Sequence, residues 1–251
     1  MLPIVPRKKS WSRRPRFAWP IAAGLTVAIT VLAGLAAASY SLASTTDPTA
    51  VGPTPGPSPK VAAFLGDSYA AGDGADNPSD SFTAIAAREL GWTYEPFAIG
   101  GTGYVEPSPD LTYGARVDAI IAANPDIVIV SGTRNDMQAD PAAVRQAAFK
   151  VLTRLHAALP DATIAVIGPI WTSATIPDSI TKLDQAVATA ARAADVTFIS
   201  AITNPWLNGS TQLLAPDGIH PSELGHQVLA RHLVDSLRRT KIAPLGTESN
   251  A

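Results

Sequence analysis

A set of short, nearly continuous aliphatic runs after residue 60 constrains the fold most. The clearest runs are Asp126–Ser131 and Thr163–Ile167, in which almost every side chain is aliphatic. Continuous apolar runs, rather than alternating ones, are typical of strands that are buried on both faces, as in a parallel sheet. The predicted strands are Val61–Leu65, Thr93–Ile99, Asp126–Ser131, Thr163–Ile167 and Val196–Ser200.

Helical patterns separate these runs and follow the last one. The predicted helices are Ser81–Leu90, Tyr113–Ala123, Pro141–Ala158, Asp178–Ala194 and Ser222–Arg239. Asp140 and Pro141 mark a helix start, because a capping carboxylate precedes a proline at the first helical position. This alternation predicts a three-layer α/β/α sandwich with a five-stranded parallel sheet in the flavodoxin-like order 2-1-3-4-5. In such folds, ligands bind at the carboxyl ends of the strands.

The N-terminal part of the chain has a different composition. Six of the 19 basic residues and no acidic residue precede Phe17, and the 27 residues of Phe17–Ala43 carry no charge. A helix needs only about 20 residues to cross a bilayer, so residues 17–43 are predicted to be a transmembrane anchor or a signal peptide cleaved near Ala43. The basic flank predicts that residues 1–16 are cytoplasmic and that the remainder is exported.

The rest of the chain divides into a linker, a domain and a tail. Residues 44–60 contain five prolines and no periodic apolar pattern, which predicts an extended linker. The predicted globular domain is residues 61–240, and residues 241–251 are expected to form a flexible tail. The linker would hold the domain away from a membrane or within a cell wall.

Composition excludes several kinds of chemistry. The chain has no cysteine, so it has no disulfide framework, thiolate zinc site, iron–sulfur cluster or cysteine nucleophile. Beyond the basic cluster, 21 acidic residues outnumber the basic ones, which argues against a nucleic-acid partner. A zinc site at His220 with Asp217 or Glu223 lacks a third ligand, and no H-E-x-x-H motif occurs. No metal or other cofactor is expected.

Ser68 is the candidate nucleophile because it follows the first predicted strand and Gly66, where a strand-to-helix turn can present its hydroxyl. The G-x-S-x-G elbow fits imperfectly, since Ala70 stands at its last position. Asp67 is expected to brace this turn through backbone N–H groups rather than to act as a catalytic acid.

His220 is the candidate base among four histidines. His156, His226 and His232 fall within helical patterns and are expected to be structural, whereas His220 lies in a loop before the last helix. Asp217, three residues earlier, can orient the imidazole and leave its other ring nitrogen to accept a serine proton.

Acyl transfer also requires hydrogen-bond donors aimed at the developing oxyanion. Gly101 and Asn135 lie on the loops after the second and third strands, next to Ser68 if the predicted strand order holds. A glycine N–H can approach closely, and the asparagine amide supplies a neutral donor. Of two adjacent glycines, Gly101 is preferred to Gly100.

Four sequence blocks in the order expected together resemble the SGNH (GDSL-type) hydrolases. They are Gly66-Asp67-Ser68-Tyr69, Ala98-Ile99-Gly100-Gly101-Thr102, Thr133-Arg134-Asn135-Asp136 and Asp217-Gly218-Ile219-His220-Pro221. The resemblance covers Val61 to about Arg239. It implies that Ser68 is the nucleophile, that His220 is the base oriented by Asp217, and that Ser68, Gly101 and Asn135 form the oxyanion hole.

The third block departs from the family pattern G-x-N-D, because Thr133 stands where the glycine is usual and Gly132 precedes it. Several large side chains in loops near the predicted site are candidate substrate-binding residues. They are Tyr69, Arg134, Trp171 and Trp206.

The sequence therefore predicts an exported serine esterase that acts through an acyl-enzyme on carboxylic esters. Its preferred substrate is a small acyl group, such as acetate, on a cell-surface glycan. Two alternatives remain open at this point. The same residues would serve acyl transfer to a sugar hydroxyl, and a catalytically inactive binding module with the same fold would account for Thr133.

Overall fold

The computed structural model describes residues 58–244. The predicted basic segment, the anchor or signal peptide and most of the linker and tail lie outside these residues. Between residues 58 and 244, no helix is both long and apolar enough to cross a membrane.

The sheet has five parallel strands in the order β2-β1-β3-β4-β5, which confirms the predicted topology. The strands are β1 (Val61–Gly66), β2 (Thr93–Ala98), β3 (Ile127–Ser131), β4 (Thr163–Ile167) and β5 (Thr197–Ile199). Every residue of β3 is buried, as its continuous aliphatic run predicts, whereas the edge strand β2 has no buried residue.

Within residues 58–244, six α-helices connect and cover the strands. They are α1 (Ser68–Ala71), α2 (Phe82–Glu89), α3 (Val117–Ala123), α4 (Pro141–Ala158), α5 (Asp178–Ala193) and α6 (Glu223–Arg239). The short α1 was not predicted, and Tyr113–Arg116 forms a 3₁₀ turn ahead of α3 instead of its first turn. Asp140 caps α4 by accepting from the Ala142 N–H at 3.0 Å, as predicted.

Helices pack on both faces of the sheet, so the domain has three layers. The alternation of side chains along β1 shows this division, because Ala62 and Phe64 pack with residues of α2 and α6, whereas Ala63 and Leu65 pack with residues of α3, α4 and α5. Each face therefore has its own apolar core.

The register brings three loops together at one edge of the sheet. Gly66 at the end of β1 pairs with Ala98 at the end of β2, and Leu65 pairs with Val130 of β3. The loops that follow these three strands therefore leave the sheet side by side, and they carry three of the four sequence blocks.

Candidate active site

Ser68 lies where β1 turns into α1. Asp67 caps the helix, since its Oδ1 accepts from the Tyr69 N–H at 3.0 Å. Ser68 is therefore the first helical residue, and its own N–H has no acceptor within the helix. The side chain is mostly covered, with the residue 7% exposed. The turn thus presents a serine hydroxyl and a backbone N–H at the carboxyl end of the sheet.

Asp67 joins the end of β1 to the end of β3. Its Oδ2 accepts from the Thr133 N–H at 3.4 Å, so the carboxylate braces two loops through backbone N–H groups, as predicted. Burial raises the pKa of Asp67 to about 6, although these hydrogen bonds and the charge of Arg134 act in the opposite direction.

Thr133 is accommodated in a backbone conformation that favours glycine. Its φ is 102°, next to Gly132 at 105°, and a β-branched residue rarely adopts such angles. The Thr133 hydroxyl donates to the buried carboxylate of Asp136. Asp136 also accepts backbone N–H groups of the loop after β2, those of Tyr104, Val105 and Glu106, at 2.8, 3.2 and 3.0 Å. Asp136 therefore holds both loops in place.

Asn135 connects the loops after β2 and β3 through its side chain. Its Nδ2 donates to the Thr102 carbonyl at 2.8 Å, and the side chain is half-buried. An asparagine amide has two N–H donors, so one remains for a ligand oxygen. The amide is thus held in a fixed orientation at the end of β3.

Gly100 packs against Ser68, and Gly101 follows it in the same turn. A Cβ placed on Gly100 would lie 3.6 Å from Ser68 Cβ and 3.1 Å from Asp73 Oδ2, whereas a Cβ on Gly101 would meet no atom within 4 Å. Gly101 has a φ of 73°, which glycine adopts without strain, so it allows the turn. That the Gly101 N–H belongs to the oxyanion hole stays a prediction.

Asp217 orients His220 as predicted. Its Oδ2 lies 2.6 Å from His220 Nδ1, and its Oδ1 accepts the N–H groups of Ile219 and His220 at 2.8 and 3.0 Å. These hydrogen bonds, that to the imidazole first, lower the pKa of Asp217 to about 2. A carboxylate at Nδ1 leaves Nε2 as the nitrogen that can exchange a proton with a ligand.

Ser68 and His220 face the same small space beside Gly100. His220 Nε2 lies 3.9 Å from Asp73 Oδ2, the same oxygen that a Cβ on Gly100 would contact. No hydrogen bond joins the Ser68 hydroxyl to His220 Nε2 in the described structure. Such bonds are often long in the absence of substrate and shorten in the reacting complex.

Three of the four predicted substrate-binding side chains meet beside the His220 loop. Arg134 donates to the Tyr69 hydroxyl at 2.7 Å, and its guanidinium lies 4.9 Å from the centre of the Trp171 ring. The Tyr69 hydroxyl in turn donates to the Ile219 carbonyl. Burial raises the pKa of Tyr69 to about 12, so this hydroxyl keeps its proton. Tyr69 therefore holds the His220 loop against α1.

Trp206 does not belong to this group. It is 4% exposed, packs in the core on the α6 side of the sheet and stacks on His232 with a centroid distance of 5.7 Å. Its environment is that of a core residue, so we remove it from the candidate substrate-binding set.

The sequence did not point to Asp73, and His226 is a structural residue, as predicted, although its partners were not. The His226 ring is fully buried, with Nδ1 accepting from the Phe82 N–H and Nε2 3.2 Å from the Asp73 carbonyl. The spacing of histidines along a helix cannot reveal these contacts, because they join residues about 150 positions apart. Among residues 58–244, no cluster of three or more histidine or acidic side chains is arranged to hold a metal ion.

This fold and this site define a class of enzyme, the carboxylic ester hydrolases of SGNH type. The family model of the GDSL-like lipase/acylhydrolases matches residues 64–228. A GDSL lipase of Mycobacterium tuberculosis is 34% identical over 200 residues, which cover 73% of this chain and 80% of that protein. The chain belongs to the GDSL-like lipase/acylhydrolase family.

Solved structures share the fold at lower identity. A family two carbohydrate esterase from Clostridium thermocellum, in complex with cellohexaose, superposes with a TM-score of 0.61 at 19% identity. The match covers 74% of this chain and 66% of that one. TesA superposes with a TM-score of 0.60 at 20% identity, over 72% of this chain and 99% of that one. At these identities, the likeness concerns the fold.

Proposed function

We propose that the protein is an extracytoplasmic serine esterase that removes small acyl groups from a cell-surface glycan. One observation carries the assignment of the site. The Asp217–His220 pair is held at 2.6 Å with Nε2 directed to the space that Ser68 and Gly100 line. A nucleophile, an oriented base and amide donors at one rim are what acyl transfer requires.

In the acylation step, Ser68 Oγ attacks the ester carbonyl while His220 Nε2 takes the hydroxyl proton. The imidazolium is stabilised by Asp217. The N–H groups of Ser68 and Gly101 and the Asn135 amide donate to the oxyanion. The carbon–oxygen bond to the alcohol then breaks, and Nε2 returns the proton to the departing oxygen.

Deacylation repeats these steps with water. His220 Nε2 takes a proton from the water that attacks the acyl-enzyme, the acid is released, and Ser68 Oγ recovers the proton. If a sugar hydroxyl replaces water in this step, the product is an acylated sugar instead of the free acid.

The extracytoplasmic location is proposed from the uncharged run 17–43, its basic flank and the proline-rich residues 44–60. A glycan substrate is supported by the carbohydrate esterase that shares the fold. In intact cells that express the full chain, added protease should cleave the linker. N-terminal sequencing of the mature protein distinguishes an anchor from cleavage near Ala43.

The catalytic assignment is tested with the purified full chain on an acetylated sugar and on p-nitrophenyl acetate. A fluorophosphonate should label Ser68, and Ser68→Ala should abolish both labelling and turnover. Ser79→Ala, an exposed serine whose side chain makes no hydrogen bond to the described residues, is the matched control.

Three results would count against the assignment. Turnover that survives Ser68→Ala contradicts the serine mechanism. Acylated acceptor sugar in excess of free acid identifies an acyltransferase. Binding of an acetylated glycan without turnover or labelling identifies a binding module.

A further inference from the structure

Asp73 is a carboxylate beside the reacting groups that the proposed reaction does not use. It follows α1 in the loop after β1, and its side chain is 51% exposed. Its Oδ2 lies 3.9 Å from His220 Nε2, on the opposite side of the imidazole from Asp217. Among the described residues, no side chain or backbone N–H donates a hydrogen bond to this carboxylate, so it is available to a ligand.

The backbone holds Asp73 in this position. Its N–H donates to the Ser68 carbonyl at 2.9 Å. Its carbonyl accepts from His226 Nε2 at 3.2 Å, because His226 Nδ1 is occupied by the Phe82 N–H and the ring hydrogen must lie on Nε2. Next to it, a Cβ on Gly74 would lie 2.9 Å from His220 Cβ. The backbone of Asp73 is therefore fixed relative to both Ser68 and His220.

The proposed reaction indicates which half of the ester lies next to Asp73. His220 Nε2 must come within hydrogen-bond distance of the departing alcohol oxygen, because it returns the proton to that atom. A carboxylate oxygen 3.9 Å from the same nitrogen therefore faces the alcohol half of the ester rather than its acyl half. In deacylation it faces the attacking water or hydroxyl.

Among the side chains that the structure describes around the His220 loop, Asp73 is the free acceptor at this position. The other groups around the His220 loop are Asp217, bound to Nδ1, and Tyr69 and Arg134, which are engaged with the Ile219 carbonyl and with each other. The buried His226 is bound to backbone groups at both nitrogens.

We propose that Asp73 determines specificity for the alcohol half of the ester by accepting a hydrogen bond from a hydroxyl next to the esterified oxygen. The substrate class is then the esters of polyhydroxy alcohols, of which acylated sugars are one case. The inference rests on the proposed esterase function and deepens it. A carboxylate acceptor forms stronger hydrogen bonds than a neutral one, and it disfavours alcohols that carry a negative charge.

The test compares two esters that differ at one group. In 2-hydroxyethyl acetate and propyl acetate, the acyl group is the same and a hydroxyl replaces a methyl in the alcohol. The ratio of their kcat/KM values is measured for the wild-type full chain and for Asp73→Ala. Intrinsic reactivity cancels when the two ratios are compared.

We expect the preference for the hydroxylated ester to fall about fivefold in Asp73→Ala and by a smaller factor in Asp73→Asn, which keeps an acceptor oxygen. Asp76→Asn is the matched control, because it removes one negative charge from an exposed position on the same loop. Its ratio should equal that of the wild type.

An unchanged ratio in Asp73→Ala overturns the inference, as does an equal change in Asp76→Asn, which would indicate a long-range charge effect. These results differ from failure of the esterase function itself. In that case the wild type would hydrolyse neither ester and a fluorophosphonate would not label it, and both proposals would fall.

Discussion

The two sides of the active site are built differently. On the Ser68 side, the buried carboxylates Asp67 and Asp136 accept backbone N–H groups from three loops. On the His220 side, the base lies on a loop ahead of α6 with its side chain 24% exposed, held by the half-exposed Asp217 and by the Tyr69 hydroxyl.

The buried side and the exposed side have different tasks, which are to stabilise the oxyanion and to transfer protons. The donors that stabilise an oxyanion must be fixed before the reaction, and buried hydrogen-bonded loops fix them. The base must exchange protons with water during deacylation, so it remains at the surface. Substitutions on the Ser68 side are therefore expected to affect stability as well as activity, whereas substitutions on the His220 side should affect activity alone.

The largest expected effect is on the exposed side. His220→Ala should lower kcat/KM by about 10⁴-fold or more, because His220 is the oriented base that takes the Ser68 proton. Its melting temperature should stay close to that of the wild type, since the imidazole is partly exposed. His156→Ala, at an exposed position on α4, should change neither quantity. Substantial turnover in His220→Ala would contradict the assignment of the base to the exposed side of the site.

On the buried side, Asn135→Ala should lower kcat by about 10²- to 10³-fold with little change in KM, because the amide donor acts on the transition state. It should also lower stability, since the hydrogen bond to the Thr102 carbonyl is lost. Gln138→Ala, an exposed amide on the same loop, is the control. A change in KM alone would indicate that Asn135 binds substrate rather than the oxyanion.

Stability should depend on pH through Asp67. Its pKa is raised to about 6 in the folded protein, so the folded state holds a proton that the unfolded state releases near pH 4. The free energy of unfolding should therefore fall by roughly 2–3 kcal/mol as pH rises from about 4 to about 6.

Denaturant titrations at several pH values measure the slope of the free energy of unfolding against pH. In Asp67→Asn the slope should be smaller. Burial also raises the pKa of Asp184 to about 6, so Asp184→Asn measures the part of the slope that arises away from the site. An identical slope in Asp67→Asn would contradict the account of the buried side.

The smallest expected effect concerns Thr133. Glycine is usually about 0.5–1 kcal/mol less favourable than alanine within an ordered element. At a φ of 102° this order should reverse, because a Cβ strains the backbone there. We expect Thr133→Gly to be more stable than Thr133→Ala by about 1 kcal/mol. If thermal unfolding shows Thr133→Ala to be the more stable of the two variants, the loop is unstrained.

Sequence patterns predicted the parts of the molecule that local periodicity determines. The aliphatic runs of β3 and β4 located the buried strands, and the Asp140–Pro141 pair located the start of α4. The pairing of Asp217 with His220 was predictable too, because it depends on a spacing of three residues within one loop.

Contacts between distant loops were not predictable in this way. The packing of Gly100 against Ser68 and Asp73 depends on how the loops after β1 and β2 meet. The burial of Trp206 against His232 depends on how the chain packs after β5. The role of His226 depends on the loop after α1, which lies about 150 residues earlier in the chain. Each of these contacts is set by tertiary packing.

The central claim is that Ser68 carries the acyl group during turnover. The most direct measurement is mass spectrometry of the enzyme quenched during reaction with p-nitrophenyl acetate. The account predicts an acetyl group on the peptide that contains Ser68, and its accumulation in Asn135→Ala should be slower. An acetyl group on another residue, or steady turnover with no acetylated peptide at any time, would contradict the account.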